Sequence, residues 1–146
     1  MADVEGLRWI SKHFGRQVIT LEDGDRGKAA VAIRELKVSR HVEMKDGKPI
    51  LRLRVRIKGT LSELSGQIDR QTINRLAEQK IEQEIRRAYE AGIKKHADLF
   101  NLEEMLYRYH LKTWRALQAR HWKPDARELE ANVEFVLKYA GVFELK

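Results

Sequence analysis

Between His96 and Trp114 the chain reads HADLFNLEEMLYRYHLKTW, a stretch holding two histidines, three carboxylates and four aromatic rings. Those residue types suit an active site or a metal cage, and spacing decides whether they can act together. A zinc site built from a histidine with Asp98 and Glu103 or Glu104 needs three or four ligands that converge. The gap from His96 to His110 specifies no shared helix face. The five histidines, His13, His41, His96, His110 and His121, form no HxH or HExxH pair. Ordinary surface or capping histidines are the simpler reading, and no metal or cofactor is expected.

Glu103 and Glu104 are adjacent, so on a helix their side chains point about 100° apart and do not form a carboxylate pair. Glu104 follows Asn101 by three residues, the spacing of a capping box, which predicts a helix starting at Leu102. Asp98 fits a cap at the preceding turn. No serine or threonine lies in GxSxG or SxxK, and there is neither a GxGxxG loop nor a P-loop. No catalytic residue and no enzymatic activity are expected. Tyr89, Phe100, Tyr107, Tyr109, Trp114 and Trp122 recur at near-helical spacing, which predicts core packing before a ligand cage. Trp114 and Trp122 are expected to lock the helical layer to the sheet edge.

A second electrostatic feature is ILRLRVRIKG. Leu51, Leu53, Val55 and Ile57 share one face of a strand, while Arg52, Arg54, Arg56 and Lys58 share the other. This basic ladder is the candidate interaction surface, for phosphates, acidic headgroups or acidic partners. The competing reading is a self-neutralising sheet, because Glu128, Glu130 and Glu134 occupy the outer parity of the last predicted strand. Sheets that read RNA also set aromatics among their bases, and this ladder has none.

The elements that carry these residues follow from periodicity. Leu7, Ile10 and Phe14 give Val4 to Phe14 a helical stripe. A strand, a Gly/Asp turn at Asp23 to Gly27, and a second strand running to about Met44 come next. The apolar parity of that second strand switches between Ile33 and Leu36, which predicts a bulge near Arg34 and Glu35. Lys45 to Pro49 turns the chain into the ladder strand. Asp69 is placed to cap a long helix reaching about Lys95, with Ile73, Leu76, Ile81, Ile85 and Ala88 as its apolar stripe. The helix from Leu102 buries Leu102, Met105, Leu106 and Tyr109. Thr113 is a candidate cap for a further short helix ending in HWKPD, at Pro124. From Glu128 to Glu144 alternation resumes, interrupted at Gly141. The expected fold is α+β: an antiparallel sheet of about four strands, with a long helix and two or more shorter ones on one face.

Composition agrees with one charged globular domain over residues 1–146. Of the 146 residues, 42% are hydrophobic and 35% charged, and the net charge is +7. That surplus favours anionic partners. No run approaches the ~20 apolar residues of a membrane helix. With no cysteine, the chain has no disulfide and no thiolate site.

The order of features resembles a known family. The basic strand ends in GTLSEL, followed by LAEQKIEQEIRRAYEAGIKKHADLFNL, then YHLKTWRAL, HW, and the closing strand ELEANVEFVLKYAG. This is similar to the C-terminal domain of the Ger(x)C family, the lipoprotein C subunits of spore germinant receptors. The positions carrying the likeness are Leu61, Glu63, Asp98, Trp114, Trp122 and Gly141. Many members have Gly where this chain has Asn101, and Pro before the first Trp where it reads YHLKTW; both departures fall at helix junctions.

The resemblance implies a non-catalytic domain, excised from a longer lipoprotein with an N-terminal lipid anchor. It implies partners in the membrane-embedded A and B subunits, and a location on the outer face of the spore inner membrane, with anionic lipid as a further partner. The alternative from charge alone is a basic α+β nucleic-acid-binding module.

Overall fold

Alternating apolar residues from Gln17 onward form a three-stranded meander. The computed structural model describes residues 8–9, 17–95, 100, 102–123 and 126–139. Strand β1 (Gln17–Asp23) turns into β2 (Gly27–Lys45), and β2 into β3 (Lys48–Gly66). Both pairings are antiparallel. The β2–β3 turn is Asp46-Gly47, with φ of 52° and 76°. Positive φ at both central residues is the type I′ signature, whose twist matches the flanking strands.

The expected bulge is present: the β2–β3 register shifts between Ile33 and Glu35. It brings Val31 and Ile33 before it, and Val42 after it, to the same buried face. A second shift, between Ala30 and Val31, leaves Ser62 as the extra residue on β3, where its hydroxyl donates to the Ala30 carbonyl at 3.0 Å. Strand β3 runs on through GTLSELSG to Gly66, further than the ladder pattern alone marks.

Asp69 caps helix α1 (Arg70–Lys94), accepting from the Thr72 amide at 2.7 Å. Ile73, Ala77, Ile81, Ile85 and Ala88 are wholly buried along one stripe, and each isoleucine contributes roughly 2–3 kcal/mol by leaving water. They pack on the inner residues of the sheet, Val31, Leu53, Val55, Ile57 and Phe135 among them.

The chain returns as β4 (Leu129–Tyr139), which joins the sheet beside β3 and gives the order β1-β2-β3-β4. Here the structure corrects the expectation of a wholly antiparallel sheet: β4 pairs with β3 in parallel, Leu51 opposite Leu129 through Thr60 opposite Tyr139. The cause is connectivity. A hairpin forces antiparallel pairing, whereas the helical crossover from Gly66 to Leu129 brings the chain back to the end of the sheet where β3 began. Alternation of side chains is the same in either direction, so the pattern could not distinguish them.

The free edge of β4 is covered by α1. The amides of Phe135 and Leu137 donate to Glu78 (3.0 Å) and Asn74 (3.1 Å), and Arg70 donates to the Leu137 carbonyl. Lys80 of the same helix donates to the Thr20 carbonyl on the opposite edge strand, β1, at 2.9 Å. The sheet curls around α1, so that one helix reaches both edges.

Helices α2 (Leu102–Tyr109) and α3 (Leu111–Ala119) follow. Leu102 and Leu106 are buried and Met105 packs partly against the core, but Tyr109 is 72% exposed and Tyr107 61%. Neither tyrosine belongs to the core as their spacing suggested, because α2 is a short helix with only a narrow covered face. Thr113 is not a cap either. Helix α3 starts one turn earlier, with His110 at its N-terminal boundary and no side-chain capping bond.

The end of α3 is set before Pro124, which lies outside the described residues. The His121 amide bonds the Gln118 carbonyl (3.1 Å) and the Trp122 amide bonds Leu117 (3.0 Å), the two bonds of a Schellman motif. His121 occupies its left-handed position, at φ 54°.

Candidate interaction surface

Arg52, Arg54, Arg56 and Lys58 project from the outer face of β3, opposite the helices. Their neighbours are fixed by register. His41 on β2 and Glu130 on β4 flank Arg52; Ser39 and Asn132 flank Arg54; Lys37 and Glu134 flank Arg56; Glu35 and Val136 flank Lys58. Arg52 pairs with Glu43 at 3.0 Å and with Glu130 at 3.4 Å. Arg56 meets Glu134 at 3.9 Å, and Lys58 meets Glu35 at 3.6 Å. Lys37 shares Glu35 at 3.5 Å. The positive charge of Lys58, with Lys37 behind it, holds the Glu35 carboxyl below its ordinary value.

Three of the four ladder cations therefore face carboxylates. The acids come from both neighbours, Glu130 and Glu134 on β4 and Glu35 and Glu43 on β2. Glu128 does not contribute. It is buried in the 3-10 turn Ala126–Glu128, where it accepts from the Trp122 indole at 3.3 Å. Arg54 differs from the other three: its lateral neighbours are uncharged, and no carboxylate pairs with it among the described residues. Exposed pairs of this kind contribute little each, about 0–1 kcal/mol. What they do is offset most of the ladder's positive charge and leave Arg54 without a matching carboxylate.

Of the other positions singled out in the sequence, Leu61 is buried in the core and Glu63 is exposed opposite Ala30. Trp114 packs partly against the core and meets Tyr107 edge-on, with ring centroids 6.5 Å apart. Trp122 anchors the end of α3 to the start of β4 through Glu128. His13, His96, Asp98, Asn101 and Gly141, with Leu7, Ile10 and Phe14, lie outside the described residues. Glu104 pairs with Arg108 at 2.8 Å along α2. Among the described residues, no three His, Asp or Glu side chains stand together in a way that could hold a metal ion.

One buried polar site escaped sequence reasoning. Glu84 is 8% exposed and accepts from Arg8 at 2.8 and 3.2 Å and from the Trp9 indole at 3.4 Å. Trp9 is wholly buried, and the Arg8 guanidinium lies 4.7 Å from its ring centroid. The signal was present: Glu84 follows Ala77 and Ile81 at i+7 and i+3, a carboxylate inside the apolar stripe of α1. A buried acid at such a position calls for a partner from elsewhere in the chain.

Comparison with known proteins adds to this geometry. A family model described as "Spore germination B3/GerAC like, C-terminal" matches residues 1–140. Among solved structures, the crystal structure of the GerBC protein superposes with a TM-score of 0.74 at 18% identity, over 92% of this chain and 44% of that one. The likeness shows a shared fold, and the chain spans less than half the length of that protein. No curated protein matches the chain.

Proposed function

The chain belongs to the spore germination B3/GerAC-like C-terminal family, and we propose that it works as the C-terminal domain of a germinant-receptor C subunit. In this reading it is a non-catalytic docking domain that contacts the membrane-embedded A and B subunits during nutrient-triggered germination. A lipid anchor elsewhere in the parent protein holds it on the outer face of the spore inner membrane. Tethering of that kind raises effective concentration, so modest contacts suffice for assembly.

The observation that carries the assignment is the family match, which extends over nearly the whole chain. Within it, the outer face of the sheet is the contact surface we favour, with Arg54 at its centre. A cation flanked by Ser39 and Asn132 is free to meet a carboxylate of a partner subunit, while the cations around it already face carboxylates of this chain. The nucleic-acid alternative draws no support from this face, whose charges are largely matched and whose ladder carries no aromatic ring for stacking.

The test is replacement in spores of the organism that encodes the chain. Arg54→Glu is the informative substitution, because reversing Arg52 or Arg56 would instead crowd carboxylates against Glu130, Glu43 or Glu134. Spores carrying it are expected to germinate more slowly with nutrient while keeping normal levels of the protein. An unchanged nutrient response would remove the sheet face from the receptor contact.

A further inference from the structure

The positive surplus of the chain does not sit on the ladder. From Tyr107 to Lys123 there are five Arg or Lys residues, two histidines and no acid, against a net charge of +7 for the whole chain. These residues form the end of α2, all of α3 and the turn after it. Arg108 is matched by Glu104, and Arg120 donates to the Gly47 carbonyl at 2.9 Å. Among the described residues, no carboxylate pairs with Lys112, Arg115 or Lys123.

Large apolar side chains are exposed on the same segment. Tyr107, Tyr109 and Leu111 are 61%, 72% and 40% exposed, half of the large exposed apolar side chains found among the described residues. Within α3, Leu111 and Trp114 lie at i and i+3, and Lys112 and Arg115 repeat that spacing one residue later, while Tyr107 and Arg108 sit in the last turn of α2. The helix breaks at His110 (φ −138°, ψ 54°): its amide closes α2 on the Leu106 carbonyl, and its own carbonyl accepts from the Trp114 amide to open α3. The segment thus sets unmatched cations beside exposed aromatic and aliphatic side chains.

We infer that the α2–α3 segment is a peripheral docking surface for an anionic lipid bilayer. Tyrosine and tryptophan favour the headgroup level, where the ring is in apolar contact and its polar edge stays wet. Lys and Arg beside them meet lipid phosphates without being fully dehydrated. The interior of a protein–protein contact is a poorer match, since such interiors are depleted in lysine and penalise charges without partners. Single-stranded nucleic acid is also a poorer match. It needs open ring faces for stacking, and Tyr107 and Trp114 already meet edge to face. The inference rests on the receptor reading only for the presence of a membrane beside the domain.

Co-sedimentation of this chain with vesicles tests it. Vesicles of phosphatidylglycerol mixed with phosphatidylcholine are expected to retain the chain at low salt, and pure phosphatidylcholine is not. Taking about fivefold per cation lost, the triple variant Lys112→Gln, Arg115→Gln, Lys123→Gln should weaken partitioning by roughly a hundredfold. Tyr109→Ser with Leu111→Ser, both exposed positions, should weaken it severalfold, and Arg54→Glu, on the opposite layer, should leave the preference for anionic vesicles intact. Circular dichroism checks that each variant folds.

Equal retention by both vesicle types would overturn the inference, as would a folded triple variant that binds like the parent. So would tighter binding to a single-stranded oligonucleotide than to anionic vesicles at the same salt. Failure on vesicles leaves the receptor assignment standing, because that is read from germination.

Discussion

Single residues decide most of what can be tested here, and they divide into those the chain's pattern announced and those it concealed. Asp69 was announced. Its carboxyl is held below its ordinary value by the Thr72 hydroxyl and amide. A folded value below the unfolded one means the cap stabilises fully above the unfolded value and fades as pH falls through the folded one. Asp69→Ala should therefore lower the thermal midpoint at neutral pH, and the gap to wild type should close below about pH 4.

Glu84 was concealed, since a helical stripe is recognised by its apolar members. Its removal in Glu84→Ala leaves Arg8 and the Trp9 indole without their acceptor and should cost about 2 kcal/mol in chemical denaturation. His121 was also hidden, because nothing in HWKPD marks which residue must turn left-handed. A non-glycine there carries strain of about 1 kcal/mol, so His121→Gly should raise the thermal midpoint by a few degrees. An unchanged or lowered midpoint would remove the strain from His121.

At the scale of elements, the long helix and the ladder strand were legible because each repeats one period over many residues. The bulge near Glu35 was legible for the same reason: a change of parity in a strand has one structural remedy. The direction of β4 was not legible, since alternation carries no polarity, and neither was the service α1 performs for the sheet edges. Asn74 and Glu78 look like ordinary polar positions on a charged helix, yet they occupy the Leu137 and Phe135 amides. Asn74→Ala with Glu78→Ala should leave that edge open, lowering stability and raising concentration-dependent self-association in light scattering.

Gly59 lies where side chains of β2 and β4 close over β3. A Cβ there would lie 2.8 Å from both Phe135 and Val31, so Gly59→Ala should cost roughly 1–3 kcal/mol through overpacking. Retention of wild-type stability would show that the two side chains have room to shift apart.

For the whole molecule, the opening cluster of histidines, acids and aromatics changes its meaning. Glu104 pairs along its own helix, Phe100 packs edge-on against Tyr89 at 5.2 Å, and the two tyrosines turn outward. Net charge pointed to anionic partners but not to a place. The ladder drew attention by its regularity, and its neighbours largely cancel it, whereas the less regular run from Tyr107 to Lys123 keeps its charge. Register between strands distant in sequence made the difference, and no local pattern contains it. The domain thus offers two faces, a matched sheet surface with Arg54 at its centre and a cationic aromatic one on α2 and α3.

The most direct measurement of the receptor assignment is germination by spores whose chromosomal gene lacks this domain, with the rest of the parent protein retained at normal levels. Nutrient-triggered germination is expected to fall sharply, while germination by a stimulus that bypasses nutrient sensing stays normal. A full nutrient response in the absence of the domain would contradict its role in the receptor.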